Sequence, residues 1–219
     1  MRLDPSIAAE LALLALALAA ALVVRPWRLL GSSELHPGLA TPSLAALTII
    51  PWLWAWPFSA ALPVPLQWSG AALAVLVLGW PLAIPVLVIA GIGTVAIAGA
   101  SWSVALSATL WSGVLPATVV LLFGHAVRRV WGTHPAVYLL GRAFAVPLVA
   151  LFVCDLVAAT GGGQSFASED RQMRVLAAFL LAMGEASWTC AIASILVACR
   201  PQWLATWSDE LYLRPRRTA

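Results

Sequence analysis

The sequence predicts an all-α, polytopic transmembrane helical bundle of six to seven spans, some of them broken by proline or glycine. Three observations predict it. Apolar residues make up 62% of the 219 and charged residues only 10%, against about 25% charged in soluble domains. No Asp, Glu, Lys or Arg occurs from Pro57 to His125, whereas about 20 consecutive apolar residues suffice for one membrane-spanning helix. Stretches such as 11–24 and 73–92 are apolar on every face, which fits helices better than the alternating pattern of a membrane β-barrel. Residues 1–219 therefore read as a single integral membrane domain whose outer faces meet the lipid bilayer.

The first span runs over residues 7–24, after the start signal Asp4-Pro5-Ser6. Its apolar stretch is longer than a signal-peptide core and lacks a clean small-x-small site, so it reads as a retained helix. Glu10 is placed in its first turn, where a carboxylate suits the helix dipole. A polar loop over 31–42 carries Glu34 and His36. The second span covers 44–62 with Trp52, Trp54 and Trp56. Indoles gather at membrane interfaces, so this cluster is expected near one bilayer face, on a helix kinked or broken at Pro51 and Pro57.

Residues 69–123 form one apolar tract punctuated by Pro81, Pro85, Gly91, Gly93, Gly99 and Pro116. Two helices with a turn near 99–103 is the simplest division. Three segments, one a half-helix around Pro81–Pro85, is the alternative. Broken helices are tolerated at membrane depth only where protein or a cavity satisfies the freed backbone groups, so the breakers hint at an internal site. A basic loop over 124–135 holds His125, Arg128, Arg129 and His134. The next span is 136–159 with Arg142 and Asp155, then a polar loop, then the span 174–199 with Glu185. The segment 200–219 reads as an amphipathic tail. Six spans put both termini on one side, which the arginine distribution makes cytoplasmic; a seventh segment moves the N-terminus to the other side.

All 12 basic residues are arginine. Without lysine the chain has no Walker-type phosphate lysine and no Schiff-base amine, so it does not itself drive transport by ATP hydrolysis. Cys154, Cys190 and Cys199 sit in apolar segments without a CxxC pair and read as buried thiols. The arginines are scattered and form no stripe with exposed aromatics, which argues against nucleic acid as a partner. No GxSxG or HExxH occurs, and no nucleophile–base set marks an enzyme; no catalytic residue is assigned. Charges inside membrane spans usually mark function or a structural pair. Glu185, its neighbour Gly184, and Asp155 are therefore the candidates for a polar interior. Arg142 is expected to snorkel to the interface. His36 and His134 are the weak metal-ligand candidates, although six spans put their loops on opposite sides.

The closing block is the most specific. Gly184-Glu185-Ala186-Ser187-Trp188-Thr189 leads to Cys199-Arg200-Pro201-Gln202-Trp203-Leu204-Ala205-Thr206-Trp207-Ser208-Asp209, then Tyr212-Leu213. Two further stretches agree with it: Trp68 to Ala83, with its Gly79-Trp80-Pro81-Leu82-Ala83 end, and Pro135-Ala136-Val137-Tyr138 followed by Phe144. Together these resemble the energy-coupling-factor (CbiM-like) transporter permease family. The resemblance implies a bacterial inner-membrane permease or substrate-capture subunit, working with a transmembrane coupling subunit and cytoplasmic ATPases. It also implies a divalent transition metal as cargo and no resident cofactor. Arg200, Pro201, Trp203 and Asp209 would then belong to a partner-facing tail. Two departures break the relatives' metal site: Met1-Arg2 stands where they begin Met-His, and Gln67-Trp68 stands where a histidine precedes the central helix. The ligand set does not carry over as a unit.

Overall fold

A computed structural model of the chain describes residues 5–31, 38–59, 67–161 and 171–213. Every regular element among them is helical. We number the α-helices α1 (Pro5–Val23), α2 (Ala40–Ser59), α3 (Ala71–Leu78), α4 (Trp80–Ala98) and α5 (Trp102–Trp131). α6 runs through Val137–Ala145 and Val146–Gly161, α7 is Arg171–Cys199, and α8 is the single turn Asp209–Tyr212. Short 3-10 turns at Pro26–Leu29 and Pro201–Trp203 follow α1 and α7. Five segments are long and apolar enough to cross a membrane: Pro5–Val23, Trp80–Ala98, Trp102–Trp131, Val137–Ala158 and Val175–Cys199. α2 contributes a shorter apolar stretch, Ala40–Ala55. The chain is thus a helical bundle of membrane-protein character. The glycine run after α6, from Gly162 on, lies outside the described residues, as do Glu34 and His36.

The long apolar tract divides at two glycines. Gly99, at φ 63°, ends α4, and Ser101 opens α5 by accepting the Val104 N–H, so the expected turn near 99–103 is present. The second break comes at Gly79 (φ 74°, ψ 153°), between α3 and α4. Only glycine adopts this backbone readily. α3 is therefore a half-helix of eight residues, about 12 Å long, and it precedes the Pro81–Pro85 region where the alternative division put it. Pro81 sits in the first turn of α4, where its missing N–H is harmless, and Pro85 lies inside that helix.

Two prolines are absorbed by rewinding. Thr109–Val114 within α5 and Val137–Ala145 within α6 are π-helical, and each is followed two residues later by a proline, Pro116 and Pro147. A proline lacks the N–H that would bind the carbonyl four residues back. The wider winding moves the pairing: Leu115 N–H donates to Leu110 O, and Val146 N–H to Gly141 O. α2, by contrast, runs unbroken through Pro51 and Pro57, contrary to the sequence expectation. Its tryptophans do not share one interface either. Trp52 is 65% exposed, but Trp54 has no exposed surface at all.

The chain's direction can be read from pairs of helix ends. Glu10, in the second turn of α1, accepts hydrogen bonds from Ser107 Oγ (3.2 Å) and Trp111 Nε1 (2.9 Å), near the start of α5. The tail after α7 binds the end of α3 and Tyr138, where α6 begins just after α5 ends. The start of α1 and the tail therefore lie at opposite ends of the bundle. That corrects the six-span arrangement with both termini together and matches the seven-segment one, with α3 forming half of one traverse.

Close helix contacts rest on glycine. A Cβ on Gly91 would overlap the Thr109 hydroxyl, and one on Gly113 would come within 2.8 Å of Trp54 Cη2. We expect Gly91→Ala and Gly113→Ala each to destabilise the bundle by about 1–3 kcal/mol, read as a lower unfolding temperature in detergent. Gly31→Ala, with nothing within 4 Å of its Cβ position, should leave that temperature unchanged; equal effects at all three would contradict the packing.

Candidate functional site

The half-helix α3 positions the site. An α-helix leaves its first four N–H and last four C=O groups without internal partners. In an isolated surface helix water serves them, but Ala71, Ala72, Ala74, Val75, Leu76 and Leu78 of α3 are all buried. Partners must therefore come from elsewhere in the chain, and they do at both ends.

At the N-terminal end the carboxylate of Glu185, from the middle of α7, accepts the Ser69 N–H at 2.7 Å and the Gly70 N–H at 2.8 Å. Ser69 Oγ accepts the Ala71 N–H at 3.1 Å, and Trp54 Nε1 donates to Ser69 O at 2.9 Å. Gly70 adopts φ 66°, which turns the chain so that successive N–H groups converge on one carboxylate. Glu185 is 4% exposed. Negative charge at a helix N-terminus is favoured both by the helix dipole and by the orphan donors. At the C-terminal end, Ala205 N–H donates to Val77 O at 2.9 Å, and Thr206 gives Leu76 O both its N–H and its hydroxyl, the latter at 2.8 Å. Tyr138 OH and Thr206 Oγ1 lie 2.9 Å apart.

Glu185 stands between two spaces. On one side a laterally open cavity of about 560 Å³ is lined by Ile49, Leu53, Trp68, Leu73, Trp188 and Ile192, with Glu185 and Thr189 as its polar groups. On the other, a space of about 10 Å³ is faced by Gln67, Ser69, Ser112, Asp155 and Glu185. Asp155 and Glu185, on different helices and 30 positions apart in sequence, therefore meet at one cavity. Gly184 faces Trp68, 3.8 Å from its Cβ position, so it has room for a methyl group and closeness does not demand glycine there.

The remaining sequence candidates are placed differently from expectation. His134 is exposed, and its Nδ1 accepts the Ala136 N–H at 3.2 Å, so it caps the start of α6. His36 is not described, and no group of three or more His, Cys, Asp or Glu that could hold a metal occurs among the described residues. Arg142 does not snorkel: it is 6% exposed, it lies against Gly124, and its guanidinium carbon stands 6.0 Å from the centre of the Tyr138 ring. The described part of the tail, Arg200 to Leu213, is folded onto the bundle. Leu204, Trp207 and Tyr212 are buried, with Trp207 and Tyr212 stacked at 4.6 Å and both edge-on to Tyr138. Arg200 is exposed over the half-buried Trp203, Pro201 opens the 3-10 turn, and exposed Asp209 accepts the Trp207 Nε1–H at 2.6 Å. Cys154 is buried, Cys190 half-buried and Cys199 exposed, and all three are free thiols.

Sequence reasoning missed the Gln67–Gly70 segment as part of the site, because its role is carried by backbone N–H groups that every residue has. It missed the ties of Glu10 for the same kind of reason: nothing in the sequence joins residue 10 to residues 107 and 111. One signal was available, the unlikeliness of glycines at both 70 and 79 around a run of eight apolar residues. No family model matches the chain, no curated protein matches it in sequence, and no solved structure matches it.

Replacing Glu185 by Ala strands two buried N–H donors at about 1–3 kcal/mol each. We expect E185A to lower the unfolding temperature more than E185Q, which keeps one acceptor oxygen. Thermal unfolding of the purified variants that leaves E185A at the wild-type value would show that the carboxylate does not hold α3.

Proposed function

We propose that this chain is a permease or substrate-capture subunit of an ATP-driven uptake system of the energy-coupling-factor type, embedded as a multi-pass protein in the bacterial inner membrane. The observation that carries the reading is the half-helix α3. Its N-terminus ends inside the bundle, at a carboxylate, between two cavities. Discontinuous helices whose N-termini open at membrane depth are the recurrent way in which transporters build a binding centre. The chain's closing block, from Gly184 to Leu213, supports the same reading by its resemblance to that permease family, and the glutamate of that block is the residue that caps α3.

In this reading the polar interior is Glu185 with Asp155. A divalent transition metal is the cargo that the resemblance favours, and carboxylates are the acidic ligands at hand. The subunit is not itself an enzyme. Lysine is absent, so ATP hydrolysis belongs to cytoplasmic ATPases working through a transmembrane coupling subunit. Arg128, Arg129 and Arg200 lie at the tail end of the bundle, which the positive-inside tendency assigns to the cytoplasm. The exposed parts of Arg200, Pro201, Trp203 and Asp209 are then available to the coupling partner.

One observation favours a second reading, a structural subunit that transports nothing. Both carboxylate oxygens of Glu185 are already engaged by backbone N–H groups, a complete structural use of a buried charge. Asp155, which takes no part in the cap, separates the two. In a metal-limited host expressing the chain with its partners, Asp155→Asn should cut cobalt or nickel uptake at least about tenfold, about 1.4 kcal/mol of lost stabilisation, while the protein stays folded and inserted. Wild-type uptake by D155N would remove the carboxylate pair from the mechanism. Purification without ATPase subunits, in fixed ratio with another membrane complex, would establish the structural reading.

A further inference from the structure

The cap on α3 uses Glu185 but leaves the small cavity behind it unexplained. That space, about 10 Å³, is lined on its polar side by residues from four different elements: Gln67 and Ser69 from the extended stretch before α3, Ser112 from the π-helical part of α5, Asp155 from α6 and Glu185 from α7. Its volume matches the room that one water molecule needs. Gln67 Nε2 is buried and has no hydrogen-bond partner in the described structure. An amide donor without an acceptor is a rare arrangement in a protein interior, and it calls for an acceptor in the adjoining space. A water between Gln67 and Asp155 supplies one: it accepts from the amide and donates to the carboxylate.

Charge adds a second demand. Asp155 and Glu185 both face the cavity, and none of the residues lining it is basic. Arg142, the one arginine within the same helix as Asp155, is packed at the helix's other end against Gly124 and Tyr138. Cys154 beside Asp155 is a free, neutral-type thiol that supplies no positive charge. Like charges confined to one small low-dielectric site do not both persist without a counter-charge. Glu185 is held as a carboxylate by two N–H donors at 2.7 and 2.8 Å. The group left to be neutralised is Asp155.

We propose that this cavity is a proton-binding site, in which Asp155 takes up the proton and one bound water links its carboxyl group to the Gln67 amide. The step is balanced as transfer from hydronium to the Asp155 carboxylate, giving the carboxylic acid and the water that stays in the cavity. Loading the site removes a negative charge facing Glu185, so proton occupancy is coupled to the carboxylate that holds α3. The inference rests on the cavity and its lining, and it stands whether the chain carries a metal, another solute or nothing.

The test is infrared difference spectroscopy of the purified full chain in lipid nanodiscs, stepping from alkaline to acidic pH. The expected result is a carboxylic-acid C=O band that disappears in Asp155→Asn, returns at a shifted position in Asp155→Glu, and moves in Gln67→Leu as the water loses its anchor. Sodium added at fixed pH should leave the band in place. A band that survives D155N, or one indifferent to Q67L, would overturn the proposal, and so would displacement by sodium, which would make the cavity a monovalent-cation site. Should D155N fail to fold, D155E and Q67L decide by the same readout. Because no uptake is measured, failure of the permease reading leaves this result intact, and the reverse also holds.

Discussion

The structure depends on the need to satisfy the ends of one short buried helix. α3 has eight residues, so most of its backbone N–H and C=O groups lie within a turn of an end and lack an internal partner. At membrane depth no bulk water is available to make up the difference. The solution draws on opposite reaches of the chain. α7 provides Glu185 for one end, and the tail beyond α7 provides Ala205 and Thr206 for the other. One stretch, Met183 to Tyr212, thereby grips α3 from both sides. The tail's stacked aromatics and its place against Tyr138 follow from the same need, because a segment that must deliver two backbone donors to Leu76 and Val77 has to be held close.

Around that half-helix the bundle tolerates an unusual share of helix breakers because each is compensated locally. The π-helical windings ahead of Pro116 and Pro147 re-pair carbonyls that an α-helical proline would leave open. Rewinding also rotates the side chains that precede it. Ser112 reaches the small polar cavity from one such segment, and Tyr138 and Arg142 face the tail and Gly124 from the other. Glycine performs the complementary task, bringing α4 and α5 close enough at Gly91 and Gly113 for Thr109 and Trp54 to sit in the gaps. Tryptophan is used here as an internal donor as well as an interfacial anchor: Trp54 to Ser69, Trp80 to Thr118 and Trp111 to Glu10.

Legibility of the site followed the kind of group involved. Glu185 and Asp155 were visible because a charge inside an apolar run is costly and so conspicuous. Their meeting at one cavity was not, since it depends on how α6 and α7 lie against each other. Gln67, Ser69 and Gly70 act through an orphan amide and two main-chain donors, which leave no compositional mark. His134 was read as a metal-ligand candidate on residue type alone and proves to cap a helix, a role that imidazole fills without any ligand. Arg142 was expected to reach the interface along its own stem; the absent side chain of Gly124 instead lets it lie flat between two helices.

The sequence by itself determined that this chain is a helical membrane protein, where most of its helices begin and end, and that the apolar tract turns at Gly99. It did so because hydrophobic length and the backbone habits of glycine and proline act locally, within a turn or two of the residue concerned. Tertiary structure alone decided that the tract also breaks at Gly79, that the start of α1 and the tail lie at opposite ends, that Trp54 is buried, and that Glu185 closes a helix 115 residues away in sequence. Those outcomes turn on which orphan backbone groups find which distant partners, a pairing fixed by three-dimensional proximity and by no property of the residues taken one at a time.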